Sequence, residues 1–333
     1  TFDEMNSLIG DAFHWTMPVK SVEAPGTRDE NGPQGLTASL LGNDKSQLTA
    51  TAFTSEDVMA ATFNTEIMTE IGKVIGNNCL EADIACLYGP GNNIHRTPYG
   101  GRNFEYYSED GFLSGMMSAY EVKAIQDKGV HVVMKHFALN DCEQDRIGLG
   151  VWLNEQAARE VYLKAFQAPV EVGNANGVMI AYTRWGAVWS GGNYGLVTGI
   201  LRNEWGFQGL ISEDFIQNAN YVVLKEAVLN GVTMSCNTGD NTMAAVSEKY
   251  PYWTVEAVSQ DTTMMTALKQ AMKYQNYALA NSNAMDGMAS STRLVSVRTW
   301  YDNALVAVQV VFAALTVLAA AMYVLNDRKS KKQ

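Results

Sequence analysis

Short, continuous apolar runs alternate along the chain with longer segments whose apolar residues recur at helical spacing. ADIACLYGP (82–90), GVHVVMKHF (129–137), GVMIAYT (177–183), GLISEDF (209–215) and GVTMSC (231–236) read as buried strands. FLSGMMSAYEVKAIQDKG (112–129), NEQAAREVYLKAFQAPVEVG (154–173), YGLVTGILRNEWG (194–206), QNANYVVLKEAVLNG (217–231) and TTMMTALKQAMKYQNYALAN (262–281) read as helices. Gly129 stops the first of these helices and Asn154 is placed to cap the second. Strands that are apolar throughout and alternate with helices predict a parallel sheet covered by helices.

Polar residues then separate a barrel from an open sheet. Lys135 and His136, Tyr182, and Glu213 and Asp214 each stand at the C-terminal end of a strand. In a (β/α)8 barrel those ends converge on one face, where the active site lies. An open dinucleotide-binding sheet would carry a Gly-rich phosphate loop, and GPGNN (89–93) does not fit GxGxxG. The expected fold is therefore α/β, a (β/α)8 TIM-type barrel over residues 1–290, followed by a single transmembrane helix.

That helix is ALVAVQVVFAALTVLAAAMYVL (304–325), uncharged throughout. At about 1.5 Å per residue it is long enough for a bilayer core of about 30 Å. A linker (291–303) precedes it, with Trp300 and Tyr301 at one interface, and NDRKSKKQ (326–333) comes after it as a basic tail. Aromatic flanks and terminal lysines predict a single-pass cell-membrane protein with a cytoplasmic C-terminus and an extracytoplasmic barrel. The opening TFDEMNSLIG has neither a starting Met nor an export signal, so the chain reads as a fragment of a longer protein.

Composition adds exclusions. The net charge is −11, which opposes binding to nucleic acid phosphates. Four cysteines and four histidines show no ligand spacing, so no metal and no cofactor is expected. Seven Trp and fifteen Tyr are compatible with sugar stacking. Arg102 after two glycines, the Lys135–His136 pair, Tyr182 and a carboxylate would suit a polyhydroxylated ligand. The plainer alternatives are an Arg102–Glu105 ion pair, polar groups capping a barrel, and core or rim packing for Tyr182 and Trp185.

These segments carry a resemblance. GPGNNIHRTPYGGRNFEYYSEDG (89–111) is similar to the GPGVNIxRxPxxGRNFEYxSEDP segment of family 3 glycoside hydrolases, and GVHVVMKHFALNDCEQDR (129–146) to its KHFxxNxxExxR segment. REVYLKAF (159–166), VMIAYTRWG (178–186) and EWGFQGLISED (204–214) continue in the family's order. NGPQGL (31–36) and TSEDVMAATFN (54–64) resemble its early motif and the next helix. The resemblance implies a retaining, exo-acting β-glycosidase of the β-glucosidase type, acting on terminal sugars of oligosaccharides or other β-glycosides. The family's nucleophile lies five residues after the second Gly of GFxG, which is Asp214 here. Arg102, Lys135 and His136 would bind hydroxyls of the terminal sugar, Tyr182 would lie close to the nucleophile, and Arg146 would support the site.

Several positions depart from the family. Asn31 stands where an Asp grips the same sugar, Glu213 where a Ser or Thr precedes the nucleophile, Phe215 for Trp and Thr37 for Arg. Adjacent strand residues face opposite sides, so Glu213 and Asp214 cannot both enter the barrel mouth. Glu213 is expected to be solvated or ion-paired. KHFALNDC lacks the KHFPGHG pattern of the branch with a histidine acid/base, so the acid/base is expected from an upstream domain absent from this chain. The alternative is a membrane-anchored carbohydrate-binding protein with weakened catalysis.

Overall fold

A computed structural model describes residues 1–12, 14–37, 50–215, 221–236, 254–285 and 298–331, with 326–330 as backbone only. The chain divides into two compact units, Thr1–Met288 and Ala289–Gln333. In the first, a seven-stranded sheet runs β1 (Trp15–Thr16), β2 (Thr27–Asn31), β3 (Cys86–Gly91), β4 (His131–Phe137), β5 (Gly177–Ile180), β6 (Leu210–Phe215) and β7 (Met234–Cys236), each strand beside its neighbour in sequence. From β2 to β7 every pairing is parallel, for example Asn31 opposite Tyr88 and Val133 opposite Gly177.

The sheet differs from the expected eight-fold α/β repeat at its start, where β1 runs antiparallel to β2. Residues 17–26 are too short a connection for the crossover that parallel strands need, which takes a dozen residues or more. Instead Val19 and Ala24 exchange backbone hydrogen bonds of 3.0 and 3.1 Å and turn the chain back. The curled sheet brings its ends together. Thr16 Oγ1 lies 3.8 Å from Met234 Sδ, joining β1 to β7. Ser235 Oγ donates to the Ile9 carbonyl at 2.7 Å.

Helices α1 (Phe2–Gly10), α2 (Thr65–Glu81), α3 (Gly111–Gln126), α4 (Lys164–Glu171), α5 (Gly195–Glu204), α6 (Leu224–Leu229) and α7 (Thr262–Ala280) belong to this unit. Their starts are set by side chains that accept first-turn N–H groups. Asn64 takes Glu66 N–H at 2.9 Å, Asp110 takes Leu113 N–H at 2.8 Å, and Asp261 takes Thr263 N–H at 3.0 Å. The helix expected over 154–173 is interrupted. After the Asn154 cap the chain makes a wide turn in which Leu163 N–H reaches the Ala158 carbonyl five residues back, and α4 carries Pro169 in its interior. Of the helix expected over 217–231, residues 217–220 lie outside the described residues, and the remainder contains α6.

Inside the ring, Tyr88, Val133, Met179, Leu210 and Met234 pack in one buried cluster with Cys86. A larger layer between sheet and helices includes Ile75, Val122, Val132, Phe137, Phe166, Ile180, Leu201 and Ile211. The four cysteines are unpaired, and all but Cys142 are buried. The second unit contains α8 (Trp300–Ser330), whose 26-residue stretch Trp300–Leu325 is long and apolar enough to cross a membrane and is exposed over residues 304–325. Part of the linker expected before it, 291–297, lies outside the described residues.

Candidate active site

A cavity of about 420 Å³ opens at the C-terminal ends of the strands. Asp214, near the end of β6, lies on its wall with Asn31 from the end of β2 and Lys135 and His136 from β4. Adjacent residues of a regular strand face apart. The register of β4 against β5 slips between Met134 and Phe137, and this irregularity accompanies the entry of both Lys135 and His136.

Arg102 reaches the cavity from the loop after β3. Gly91 at the end of that strand lets the loop lie against it, because a Cβ there would fall 2.2 Å from the Glu105 carbonyl oxygen. Gly101, at φ +89°, turns the loop over Glu143. Arg102 forms an ion pair with Glu105, and its Nη1 lies 3.0 Å from His136 Nε2 and 3.7 Å from Glu143 Oε1. It is thus both the structural ion pair and a cavity residue.

A guanidinium only donates, so His136 Nε2 accepts and the proton sits on Nδ1, which faces the Tyr106 hydroxyl at 3.4 Å. Burial first, then Arg102, Lys135 and Arg146, hold the His136 pKa well below its usual range. The imidazole is neutral, and its 3.9 Å approach to Asp214 Oδ2 is a polar contact rather than an ion pair. Lys135 Nζ bonds to Asn31 Oδ1 and stands 3.9 Å from Glu105 Oε2. Burial lowers its pKa while Glu105 opposes the shift.

Asp214 Oδ1 accepts the Phe215 N–H at 2.8 Å, and Oδ2 stands 3.9 Å from Arg146 Nη1. Burial raises its pKa; Arg146, the Phe215 N–H, Arg102 and Lys135 pull it back down. Arg146 is held by Glu143 at 3.0 Å and lies over the Tyr182 ring at 4.8 Å. A carboxylate within reach of three cations, next to a neutral hydrogen-bonding imidazole, is equipped to attack an electrophilic carbon inside a polar pocket.

The expectation for Glu213 is corrected, and Tyr182 has a structural partner. Tyr182 is buried below the wall rather than lining it, with its hydroxyl donated to the Phe215 carbonyl. It supports the strand end instead of offering a hydroxyl to the cavity. Glu213 is neither solvated nor ion-paired among the described residues. It is fully buried, and Oε1 accepts the Cys236 N–H at 2.7 Å across to β7. The pleat that aims Asp214 into the mouth turns Glu213 into the packed wall. Burial pushes its pKa well above the carboxylate range, which favours the neutral acid beside Asp214.

This buried carboxyl makes stability depend on pH. Because folding raises the Glu213 pKa, its contribution is fully present below the unfolded value of about 4.3 and is lost as pH rises toward the folded one. Glu213→Gln, neutral at every pH, is expected to gain stability relative to the native chain between pH 5 and 8. Thermal melts across that range check this; a difference that does not change with pH would contradict it.

His14, Glu30, Tyr88 and Met179 also line the cavity and were not singled out from the sequence. His14 sits at φ +53° before β1 and stacks on Phe215 at 6.3 Å, with no sequence signal to mark it. Glu105 and Glu143 did carry one, since each stands three residues from the arginine it pairs with, Arg102 and Arg146.

Known proteins share this architecture. Residues 37–274 match the glycosyl hydrolase family 3 N terminal domain. An exo-alpha-(1->6)-L-arabinopyranosidase of Bifidobacterium breve is 36% identical over 222 residues, 65% of this chain and 29% of that protein. A beta-glucosidase of Ruminococcus albus is 38% identical over 205 residues, 57% of this chain and 22% of that protein. The chain therefore spans less than a third of either relative. Beta-glucosidase 3B from Thermotoga neapolitana, solved in complex with glucose, superposes with a TM-score of 0.76 at 29% identity, over 85% of this chain and 42% of that one. The barrel is thus a TIM-type, (β/α)8-like fold, and with its matched domain covering more than half of its length the chain belongs to glycosyl hydrolase family 3.

Proposed function

We propose that the barrel is the nucleophile-bearing half of a retaining, exo-acting β-glycosidase of the β-glucosidase type. The observation that carries this reading is Asp214, aimed into a pocket it shares with Arg102, Lys135, His136 and Arg146. A terminal sugar would bind with its hydroxyls on Lys135 and Arg102, beside the His136 imidazole. The Asp214 carboxylate attacks the anomeric carbon, the bond to the leaving oxygen breaks, and a glycosyl–Asp214 ester forms. The departing oxygen takes a proton from a general acid, which then acts as base as water cleaves the ester. We assign that acid to a segment outside this chain, because in a retaining site the second carboxyl stands only about 5–5.5 Å from the first. Among the described residues, Glu105 and Glu143 are engaged by arginines, Glu30 lies against His14 and Arg28, and Glu213 faces away.

The apolar stretch of α8 is in this reading a membrane anchor. Its 26 residues at 1.5 Å each exceed a bilayer core of about 30 Å. The positive-inside rule would put the lysine-rich tail in the cytoplasm and the barrel outside. One observation favours the alternative of a carbohydrate-binding protein with weakened turnover: Asn31 offers an amide, already bonded to Lys135, where a carboxylate would bind a sugar more strongly.

A 2-fluoro-glucoside with a dinitrophenolate leaving group separates the two, since that group departs without an acid. Mass spectrometry is expected to find a covalent fluoroglycosyl adduct on Asp214. If folded protein gives no adduct with the glucosyl or the arabinopyranosyl reagent, the binding-protein reading replaces the catalytic one.

A further inference from the structure

Two loops bring polar residues to the cavity, and an amide that does not reach it joins them. The loop after β2 carries Asn31 and Thr37 and is closed on itself: the Thr37 N–H and Oγ1 both donate to the Asn31 carbonyl, at 2.9 and 2.7 Å. The loop after β3 carries Arg102 at the start of a short helical turn, Asn103–Glu105. At the cavity the two loops meet through Lys135, which bonds Asn31 and stands 3.9 Å from Glu105.

Gln34, midway between Asn31 and Thr37, makes a second connection. Its Nε2 donates to Glu56 Oε2 and, at 2.6 Å, to the Phe104 carbonyl. An amide nitrogen carries two hydrogens, so one group can serve both acceptors. Glu56 opens a short helix, Glu56–Ala60, and the chain before it lies along the loop, with the Phe53 N–H donating to the Gln34 carbonyl at 3.0 Å. Neither Gln34 nor Glu56 lines the cavity. Glu56 is fully buried, and its Oε1 has no hydrogen-bond partner. Burial, with the like charges of Glu121 and Glu105, pushes its pKa up to about 9, which favours the neutral acid. Glu121 in turn accepts the Tyr107 hydroxyl at 2.6 Å. A carboxyl is costly to bury, and the hydrogen bond Glu56 does make is with the amide that bridges the two loops.

We infer that Gln34 and Glu56 are positioning residues: the amide, anchored on the buried carboxyl, fixes the spacing of the two loops and so sets how tightly the pocket holds its terminal sugar. The inference rests on the proposed glycosidase function. Asp214 lies outside this linkage, since it sits on β6 and its Oδ1 accepts the Phe215 N–H. Loosening the clamp therefore weakens binding far more than it slows formation of the ester.

The test uses the full chain in detergent and the 2-fluoro reagent, glucosyl or arabinopyranosyl, that labels it. The concentration dependence of labelling gives a dissociation constant and a limiting rate separately. Gln34→Met keeps the length of the side chain and removes both hydrogen bonds. It is expected to raise the dissociation constant about tenfold, equivalent to about 1.4 kcal/mol, and to leave the limiting rate within about threefold of native. Glu56→Gln, a neutral acceptor of the same shape, is expected to stay close to the native chain. Gln34→Glu sets two carboxyls against each other, which share a proton at low pH and repel once both ionise. Its dissociation constant, relative to the native one at the same pH, is expected to climb between pH 5 and 8. A purely structural role would lower the melting temperature and move neither quantity. Native dissociation constants in folded Gln34→Met and, across that pH range, in Gln34→Glu overturn the clamp and leave the glycosidase reading intact. If neither reagent labels the native chain, the glycosidase reading fails and the clamp with it.

Discussion

Asp214→Asn is expected to lower kcat/KM for an aryl β-glycoside by roughly 10⁴-fold or more, while sugar still binds. The amide keeps an oxygen to accept the Phe215 N–H that now reaches Oδ1 at 2.8 Å, so the strand end need not move. It cannot form the ester. Arg146, Arg102 and Lys135, which favour the ionised carboxylate, lose their countercharge, but a neutral sugar needs only their donors. Steady-state kinetics together with calorimetry check both halves. A variant that keeps a tenth of the native rate would remove Asp214 from the role of nucleophile. Loss of sugar affinity along with turnover would point to a damaged pocket instead.

The second large effect is on stability. Arg202→Leu is expected to cost about 3 kcal/mol or more. Arg202 is buried, and its Nη1 donates to the carbonyls of Gly209 at 2.6 Å and Phe207 at 3.2 Å, while Nη2 donates to Gly231 at 3.1 Å. The guanidinium also lies 3.6 Å from the centre of the Tyr274 ring. One side chain of α5 thereby joins the approach to β6, the approach to β7, and α7. Burial pulls its pKa down to about 9. Leucine fills part of the space and leaves three carbonyls without their donor. Urea unfolding monitored by circular dichroism would show the lowered midpoint. A loss below about 1 kcal/mol would mean that water replaces the guanidinium. Because β6 carries Asp214, activity at temperatures near the transition is expected to fall with stability.

The parts of the site that could be read from sequence were those governed by local rules. The apolar runs gave β3 to β7 to within a few residues, because parallel strands buried on both faces read as short, nearly continuous apolar runs. The two-residue period was enough to set Glu213 and Asp214 on opposite sides. It did not tell what Glu213 would meet there, since the Cys236 N–H is supplied by a strand more than twenty residues later. The partner of the Tyr182 hydroxyl was hidden for a similar reason. A tyrosine at a strand end has two destinations, cavity or neighbouring carbonyl, and only packing against Phe215 and Tyr221 decides. His14 and Glu30 come from the antiparallel start of the sheet. A short hairpin there breaks the strand–helix alternation on which the expectation of an eight-fold repeat was built.

The way the ring closes bears on how the chain reaches this fold. From β1 to β7 each strand adds beside the one just before it, so most of the sheet can assemble through neighbours in sequence. The seam is different. It joins Ile9 to Ser235, Thr16 to Met234 and Leu8 to Gln275, pairs separated by 226, 218 and 267 residues. Bringing such distant segments together is the most entropically demanding contact in the unit. On a ribosome residues 1–16 would emerge long before residues 234–275 and wait for them. The wall bearing Asp214 is next to that seam, so the pocket takes its final shape only when the two ends of the barrel meet.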